Sequence, residues 1–251
     1  MTARSRAAAP LLEIADELSA AVDALRFGGE VDCVYNPLSY ARPGYAAYVE
    51  KYGAGRKEVV LVGMNPGPFG MTQTGVPFGH VPLVRDWLGI QTAIGKPPRE
   101  HPKRPVLGFD CPREEVSGAR LWGWAKARFE TPARFFERFF VLNYCPLVFV
   151  ETSGRNRTPD KLAPAEKSAL FAACDRALLA SVACLSPRYV VGIGHFARDR
   201  VVRVLTGTDA MLGCIPHPSP ASPAANRDWA GGVERELSAL GIALPARGVA
   251  T

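Results

Sequence analysis

Short runs of apolar residues recur along the 251-residue chain, and within each run the apolar positions are continuous rather than alternating with polar ones. Continuous apolar runs of this length are typical of strands buried on both faces of a parallel sheet. The pattern predicts four such strands, at 58–62, Phe139–Asn143, Tyr189–Ile193 and 212–215.

The segments between these strands place their apolar residues at helical spacing. Because strands then alternate with helices, the predicted fold class is α/β, a three-layer α/β/α sandwich with a central four-stranded parallel sheet. The last helix is expected to start at Ser222 and Pro223, with serine as the N-cap and proline in the first turn. The other predicted helices are 82–88, 115–128, Pro164–Leu185 and 197–205.

No repeat or low-complexity linker divides the chain, so a single domain over residues 1–251 is predicted, with residues 1–30 as an N-terminal helical extension. Leu11 and Leu18 recur there at helical spacing, and Glu13 lies between them. The extension lacks the continuous apolar core of a signal peptide. The expected location is therefore the cytoplasm, beside the nucleoid in a bacterium, or the nucleus in a eukaryote.

The composition, 47% hydrophobic and 22% charged, is that of a globular protein and excludes a disordered chain or a coiled coil. The longest apolar stretch, 139–150, is too short to span a bilayer, so no membrane association is expected. A net charge of +6 permits a polyanionic partner without requiring one. Nothing in the sequence indicates more than a monomer.

The six cysteines form no C-x-x-C pair and no cluster with the four histidines. Cys145 and Cys214 lie in apolar runs, where a reduced, buried thiol is expected. The sequence therefore predicts no disulfide framework, no metal site and no cofactor.

Polar residues embedded in glycines and prolines follow the predicted strands. Asn65 follows the first strand and Asn143 ends the second, whereas His195 and His217 follow the third and fourth. In open α/β sheets, ligands bind outside the carboxyl ends of the strands. The pattern predicts a rigid pocket with a polar floor at this edge.

The loop at 63–70 is neither a phosphate-binding loop nor a dinucleotide fingerprint, because no G-K-[ST] follows and the glycine spacing is wrong. The carboxamide of Asn65 is a poor base, but it can accept a hydrogen bond from a water molecule and aim it. The alternative is an asparagine that caps a turn.

The amide of Asn143 offers donors and an acceptor that complement O4 and N3–H of uracil, whereas cytosine presents the reverse pattern. A structural amide joining two loops is the alternative. Phe78, between Pro77 and Gly79, has a setting in which an aromatic ring can face a flat ligand, although an isolated phenylalanine is more often a core residue.

His217 precedes a proline and lies in a stiff loop, where it can donate to an oxygen that gains negative charge. A structural histidine is the alternative. His195 carries a weaker signal, since it can simply cap the following helix.

Two longer segments, GMNPGPFGMTQTGVPFG at 63–79 and HPSPASPAANRDW at 217–229, closely resemble the signature motifs of the single-strand-selective monofunctional uracil-DNA glycosylases. The likeness runs from about residue 31 to residue 229. It is extended by VRDWLGI, HPKRPVLG, EVSGAR and SGRNRTP at 84–90, 101–108, 115–120 and 153–159.

This resemblance implies a uracil-DNA glycosylase-like fold and a base excision repair enzyme that acts on single- and double-stranded DNA. Such an enzyme hydrolyses the N-glycosidic bond of a flipped-out uracil, and of 5-hydroxymethyluracil, and leaves an abasic site without a metal or a lysine nucleophile. The resemblance implies that Asn65 positions the attacking water and that His217 stabilises the departing uracil anion through O2.

The resemblance also assigns the binding residues. Phe78 stacks on the base, Asn143 reads its Watson–Crick edge, and Met64, Gly67 and Met71 surround it. The expected DNA contacts are Ser219, Pro220, Ala221, Ser222, Arg227 and Arg155, while Arg157 and Arg198 are further sources of positive charge.

Two positions depart from the family pattern: Ala221, where the family carries a wedging arginine, and His80, where it carries an acidic residue. Two alternatives stay open. One is a related glycosylase for another base, such as a deaminated purine or a mismatched thymine. The other is a non-catalytic binder of damaged or single-stranded DNA.

Overall fold

The computed structural model describes residues 3–221 and 223–246. Its strands are β1 Val31–Tyr35, β2 Val59–Gly63, β3 Phe139–Asn143, β4 Val148–Glu151, β5 Asn156–Arg157, β6 Tyr189–Ile193 and β7 Met211–Ile215. Its helices are α1 Ala3–Asp23, α2 Pro37–Tyr40, α3 Arg42–Tyr52, α4 Met71–Thr74, α5 Val116–Phe129, α6 Pro132–Arg138, α7 Pro164–Leu185, α8 His195–Leu205 and α9 Pro223–Ala239.

The central sheet is four-stranded and parallel, in the order β3-β2-β6-β7. All four predicted strands are confirmed to within one residue. The central strand β2 is buried along its whole length, as its uninterrupted apolar sequence requires. Gly63 pairs with Asn143 at the carboxyl ends of β2 and β3, so the loops that follow start side by side.

Helices cover both faces of this sheet, which confirms the three-layer architecture. Phe139 and Phe140 are neighbours on β3, so their side chains point to opposite faces. Phe139 packs edge-to-face against Trp124 of α5, whereas Phe140 stacks on Tyr48 of α3 with a centroid distance of 5.0 Å. Helices α1, α7 and α8 continue the α3 layer, and α6 and α9 continue the α5 layer.

A second sheet, which the sequence analysis did not predict, is three-stranded and antiparallel in the order β1-β4-β5. It was missed because the apolar run of β4 follows closely on that of β3, and because β5 is only two residues long. Its consequence for the site is that β5 brings Asn156 beside the loops of the central sheet.

The predicted helices are present with modest changes. The segment predicted at 82–88 is a π-helical turn, Leu83–Trp87, and α8 starts two residues earlier than expected. Helix α9 begins at Pro223, while the predicted N-cap Ser222 lies outside the described residues. By length and hydropathy α7 could cross a membrane, but core helices meet the same criteria, and α7 packs against α1 and α8.

Candidate active site

The loops after β2 and β3 are held together beyond the ends of the strands. The backbone N–H of Tyr144 donates to the carbonyl of Gly63, and that of Cys145 donates to Met64, each at 2.9 Å. These two hydrogen bonds continue the parallel ladder into the loops. The backbone on either side of Asn65 and Asn143 is therefore held in place by main-chain hydrogen bonds.

The side chain of Asn65 is oriented by its donor group. Its Nδ2 donates to the carbonyl oxygen of Leu147 at 3.1 Å, which fixes the plane of the carboxamide. Its Oδ1 accepts no hydrogen bond from the described part of the chain. Asn65 lines a cavity, so this oxygen is available to a ligand or a water molecule.

The amide of Asn143 is held from behind by a thioether. Its Nδ2 donates to Sδ of Met71 at 3.3 Å, whereas its Oδ1 is buried and has no partner within the described residues. A buried carbonyl oxygen without a donor is costly, so this oxygen is a favourable acceptor for an N–H group that enters the cavity. Met71 itself is buried and does not line the cavity, and its predicted place beside the base stays a prediction.

Phe78 occupies a strained backbone conformation, with a φ of 53° that non-glycine residues seldom adopt. Two close approaches hold it there. A Cβ on Gly63 would lie 2.4 Å from the Phe78 ring and 2.6 Å from Oδ1 of Asn143, and a Cβ on Gly118 would lie 2.0 Å from the Phe78 carbonyl oxygen. Glycine at both positions lets the ring lie directly over the end of β2.

His217 is neutral and has a defined tautomer. Burial lowers its pKa below the ordinary value for histidine, since a buried imidazolium would lose its hydration. The backbone N–H of Ser219 donates to Nδ1 of His217 at 3.1 Å. The proton therefore resides on Nε2, which makes that atom a hydrogen-bond donor.

These groups converge on one cavity of about 310 Å³, near the lower end of the range of roughly 300–1,000 Å³ found for small-molecule sites. The predicted residues that line it are Met64, Asn65, Gly67, Phe78, Asn143, His217 and Ser219. The Phe78 and His217 rings lie 6.5 Å apart between centroids. Three of the four polar residues that the sequence pattern places at the carboxyl edge, Asn65, Asn143 and His217, therefore line one cavity.

Other predicted residues lie outside the cavity. His195 is exposed at the start of α8, with Gly194 rather than the histidine at the N-cap, so it does not join the polar floor. Pro220, Ala221, Arg155 and Arg227 are exposed and do not line the cavity, and their DNA contacts stay predictions. Ser222 is outside the described residues.

Two arginines named as sources of positive charge are neutralised by acidic neighbours. Arg157 pairs with Glu151 at 2.8 Å and also with Glu30, while Arg198 pairs with Asp199 at 2.6 Å. Arg155 and Arg227 have no such partner in the part of the chain that the structure describes.

The cavity also has walls that the sequence analysis did not single out: Pro66, Pro68, Glu115, Ser117, Asn156 and Thr158. Glu115 packs so closely against the loop that a Cβ on Gly67 would lie 2.2 Å from its carboxylate. Burial raises the pKa of Glu115, an effect opposed by the N–H groups of Phe69 and Ser117. Glu115 and Ser117 belong to EVSGAR, and Asn156 and Thr158 belong to SGRNRTP. The likeness of these two segments to the family was therefore the feature of the sequence that could have identified these residues.

The described residues contain no group of three His, Cys, Asp or Glu side chains that could hold a metal ion. All six cysteines are free, with Cys145 buried and Cys214 half-buried. His80 is buried 3.9 Å from Glu114, and burial lowers its pKa.

Comparison with known proteins identifies similar chains. Residues 50–232 match the family model of the uracil DNA glycosylase superfamily. The chain is 48% identical over 227 residues to a single-strand selective monofunctional uracil-DNA glycosylase of Rattus norvegicus, covering 90% of this chain and 82% of the relative. The Mus musculus counterpart is 47% identical over 227 residues, covering 90% of this chain and 81% of the relative.

A solved structure provides an independent comparison of the fold. The crystal structure of wild-type SMUG2 from Pedobacter heparinus superimposes with a TM-score of 0.62 at 16% sequence identity. The match covers 91% of this chain and 97% of the other. At this identity the likeness supports the α/β architecture alone.

Proposed function

This chain belongs to the uracil DNA glycosylase superfamily, and on that premise we propose that it is a monofunctional glycosylase of base excision repair. It hydrolyses the bond between uracil and deoxyribose in DNA and leaves an abasic site. The observation that carries the proposal is the convergence of Asn65, Phe78, Asn143 and His217 on one cavity of about 310 Å³.

Base recognition follows from the two unused groups of Asn143. Its buried Oδ1 accepts N3–H of uracil, which supplies the missing donor, and the second N–H on Nδ2 donates to O4. Because Met71 accepts the first N–H, the amide is held in the orientation that suits uracil. Cytosine presents an acceptor at N3 and a donor at N4, so both contacts become unfavourable.

The aromatic face of the base stacks on Phe78, whose strained backbone presents the ring to the cavity. The carboxylate of Glu115 occupies the space beside Gly67, where a Cβ would lie 2.2 Å from it. The proposed acceptance of 5-hydroxymethyluracil, which carries one small substituent more than uracil, therefore rests on the family likeness.

The chemistry is hydrolysis with water as nucleophile. The bond between C1′ and N1 breaks, its electron pair leaves with uracil, and the water oxygen forms the new bond to C1′. Asn65 accepts a hydrogen bond from this water through Oδ1 and aims it, while a water proton ends on the departing base. His217 donates from Nε2 to O2, where negative charge develops, and its neutral state avoids burying a cation.

The target nucleotide must leave the base stack to reach the cavity. Flipping costs a few kcal/mol in duplex DNA and least in single strands. Ala221 lies exposed on the loop after β7, where its methyl group is too small to fill the space left by the base. We therefore expect excision from single strands to be favoured.

Replacing Ala221 with arginine is expected to raise excision from duplex DNA about fivefold, which corresponds to recovering about 1 kcal/mol of the flipping cost. Excision from single strands should change little. The measurement is the single-turnover rate on matched single-stranded and duplex substrates. Ser238→Arg, which adds the same charge on exposed α9 away from this loop, is the control, and equal gains in both variants would refute a wedge effect.

Replacing Asn143 with alanine is expected to lower uracil excision by roughly 10- to 100-fold, because two hydrogen bonds to the base are lost. Cytosine excision should not fall in parallel, since the wild-type amide opposes it. Single-turnover rates on oligonucleotides that differ only in uracil or cytosine give the ratio of uracil excision to cytosine excision. An unchanged ratio would mean that Asn143 is a structural amide.

The two rival functions predict different behaviour in the same assay. A glycosylase for another base leaves uracil intact but releases hypoxanthine or mismatched thymine from a panel of substrates. A DNA binder without activity shifts the oligonucleotide in a gel and releases no base. Release of uracil with retention of every phosphodiester bond before alkali treatment supports the proposed monofunctional activity.

A further inference from the structure

Four cationic side chains lie on segments that adjoin one side of the cavity: Lys103, Arg104, Arg113 and Arg155. We call them the basic rim. Hydrogen bonds join two of its segments, from Lys103 Nζ to the carbonyl of Ser153 at 3.1 Å and from Arg104 Nε to that of Gly154 at 2.7 Å. The sequence motifs HPKRPVLG and SGRNRTP thus meet in space.

An aromatic ring holds two of these groups in place. The guanidinium carbons of Arg113 and Arg104 lie 4.3 and 5.2 Å from the centroid of Phe69. Cation–π contacts fix the guanidinium planes while leaving most of their N–H groups free for another acceptor. Ordered guanidinium groups of this kind suit bidentate contacts to phosphate.

The basic rim adjoins the cavity along the chain. Phe69 directly follows Pro68, and Arg155 directly precedes Asn156, and both Pro68 and Asn156 line the cavity. Gln73 links the two sides, since its Nε2 donates to the carbonyls of Pro68 and Pro105. The basic rim therefore borders the cavity on the side of Pro68 and Asn156.

The charges of the basic rim are not neutralised within the described residues. No ion pair to an acidic side chain involves any of the four, although ten other arginines of that part of the chain form one. Three nearby carboxylates have other partners: Glu115 accepts backbone N–H groups, Glu114 lies 3.9 Å from His80, and Glu100 contacts Lys96 and the N–H of Val106. Free cations clustered beside a cavity indicate a polyanionic partner.

We propose that the basic rim binds the sugar–phosphate backbone of single-stranded DNA next to the target nucleotide. This inference rests on the proposed function and specifies how the strand is held. Phosphate contacts here position the strand without reading its sequence. These contacts bind the strand without using the loop that carries Ala221. Binding at the basic rim therefore does not require a duplex.

The test is the double variant Arg113→Ala/Arg155→Ala, because neither side chain forms a hydrogen bond or ion pair within the described protein. Its control is Arg188→Ala/Arg203→Ala, which removes the same charge near the amino ends of the parallel strands. Binding to a single strand carrying a non-hydrolysable 2′-fluoro-deoxyuridine is measured over a range of salt concentrations. Single-turnover excision is measured separately with saturating protein.

Loss of two phosphate contacts should flatten the slope of log Kd against log salt by about 1.4, since each contact to a single strand contributes about 0.7. Kd should rise about 10-fold or more at low salt. The control should match wild type. An unchanged slope in the rim variant, or an equal change in the control, overturns the proposal.

Failure of the proposed function gives a different result. If wild type releases no uracil but its salt slope still falls in the rim variant alone, the basic rim is a DNA-binding surface and the catalytic assignment is wrong. If wild type releases uracil and the rim variant keeps the full slope, the catalytic assignment stands and the rim proposal is wrong.

Discussion

Replacing Asn65 with alanine is expected to lower the single-turnover rate of uracil excision by about 10²- to 10³-fold, with little change in DNA affinity. The reason is geometric: the Nδ2 bond to Leu147 leaves Oδ1 as the group that orients the attacking water. Without it, the water is present but not aimed at C1′. Excision from a saturated single-stranded substrate measures the effect directly.

Asn65→Asp is the matched variant for this prediction. It keeps an acceptor oxygen for the water, although it loses the donor to Leu147 and adds a negative charge. It should therefore retain more activity than Asn65→Ala. An alanine variant with more than about a tenth of the wild-type rate would contradict the proposed role and favour the turn-capping alternative.

Replacing His217 with alanine is expected to cost a similar factor, about 10²- to 10³-fold, because it removes a preorganised donor from the atom that gains charge. The Ser219 N–H bond to Nδ1 directs Nε2–H toward the base, so the donor needs no reorganisation during the reaction. The rate is measured as for Asn65→Ala, with a thermal unfolding curve to show that the loop after β7 still folds.

A substrate with a better leaving group distinguishes anion stabilisation by His217 from water positioning by Asn65. 5-Fluorouracil leaves as a more stable anion than uracil, so it depends less on stabilisation at O2. The loss caused by His217→Ala should therefore be smaller on 5-fluorouracil than on uracil, whereas the loss caused by Asn65→Ala should be similar on both. Equal losses for His217→Ala on the two bases would contradict anion stabilisation.

The main parts of this site could be predicted from the sequence because they depend on where strands end. Asn65 follows β2, Asn143 ends β3, and His217 follows β7, which is only partly buried. Parallel pairing brings the carboxyl ends of such strands to one edge. His195 satisfied the same rule but is the first residue of α8, where it faces solvent instead. Position along the chain thus predicts proximity to the edge, not the direction of a side chain.

The remaining features depend on contacts between distant segments. Met71 lies in the signature loop, but the short helix α4 turns its thioether behind Asn143 rather than into the cavity. Arg157 and Arg155 are two residues apart, yet only Arg157 finds carboxylates, because β4 brings Glu151 beside it. No local pattern distinguishes these cases, since each is decided by a partner remote in the sequence or by the path of a loop.

The most direct measurement is alkaline cleavage of an end-labelled single strand that contains one uracil, alongside the same strand with cytosine at that position. We expect cleavage at uracil alone, only after alkali, with one free uracil released for each abasic site. A strand that wild-type protein binds but leaves resistant to alkali at uracil would contradict the account.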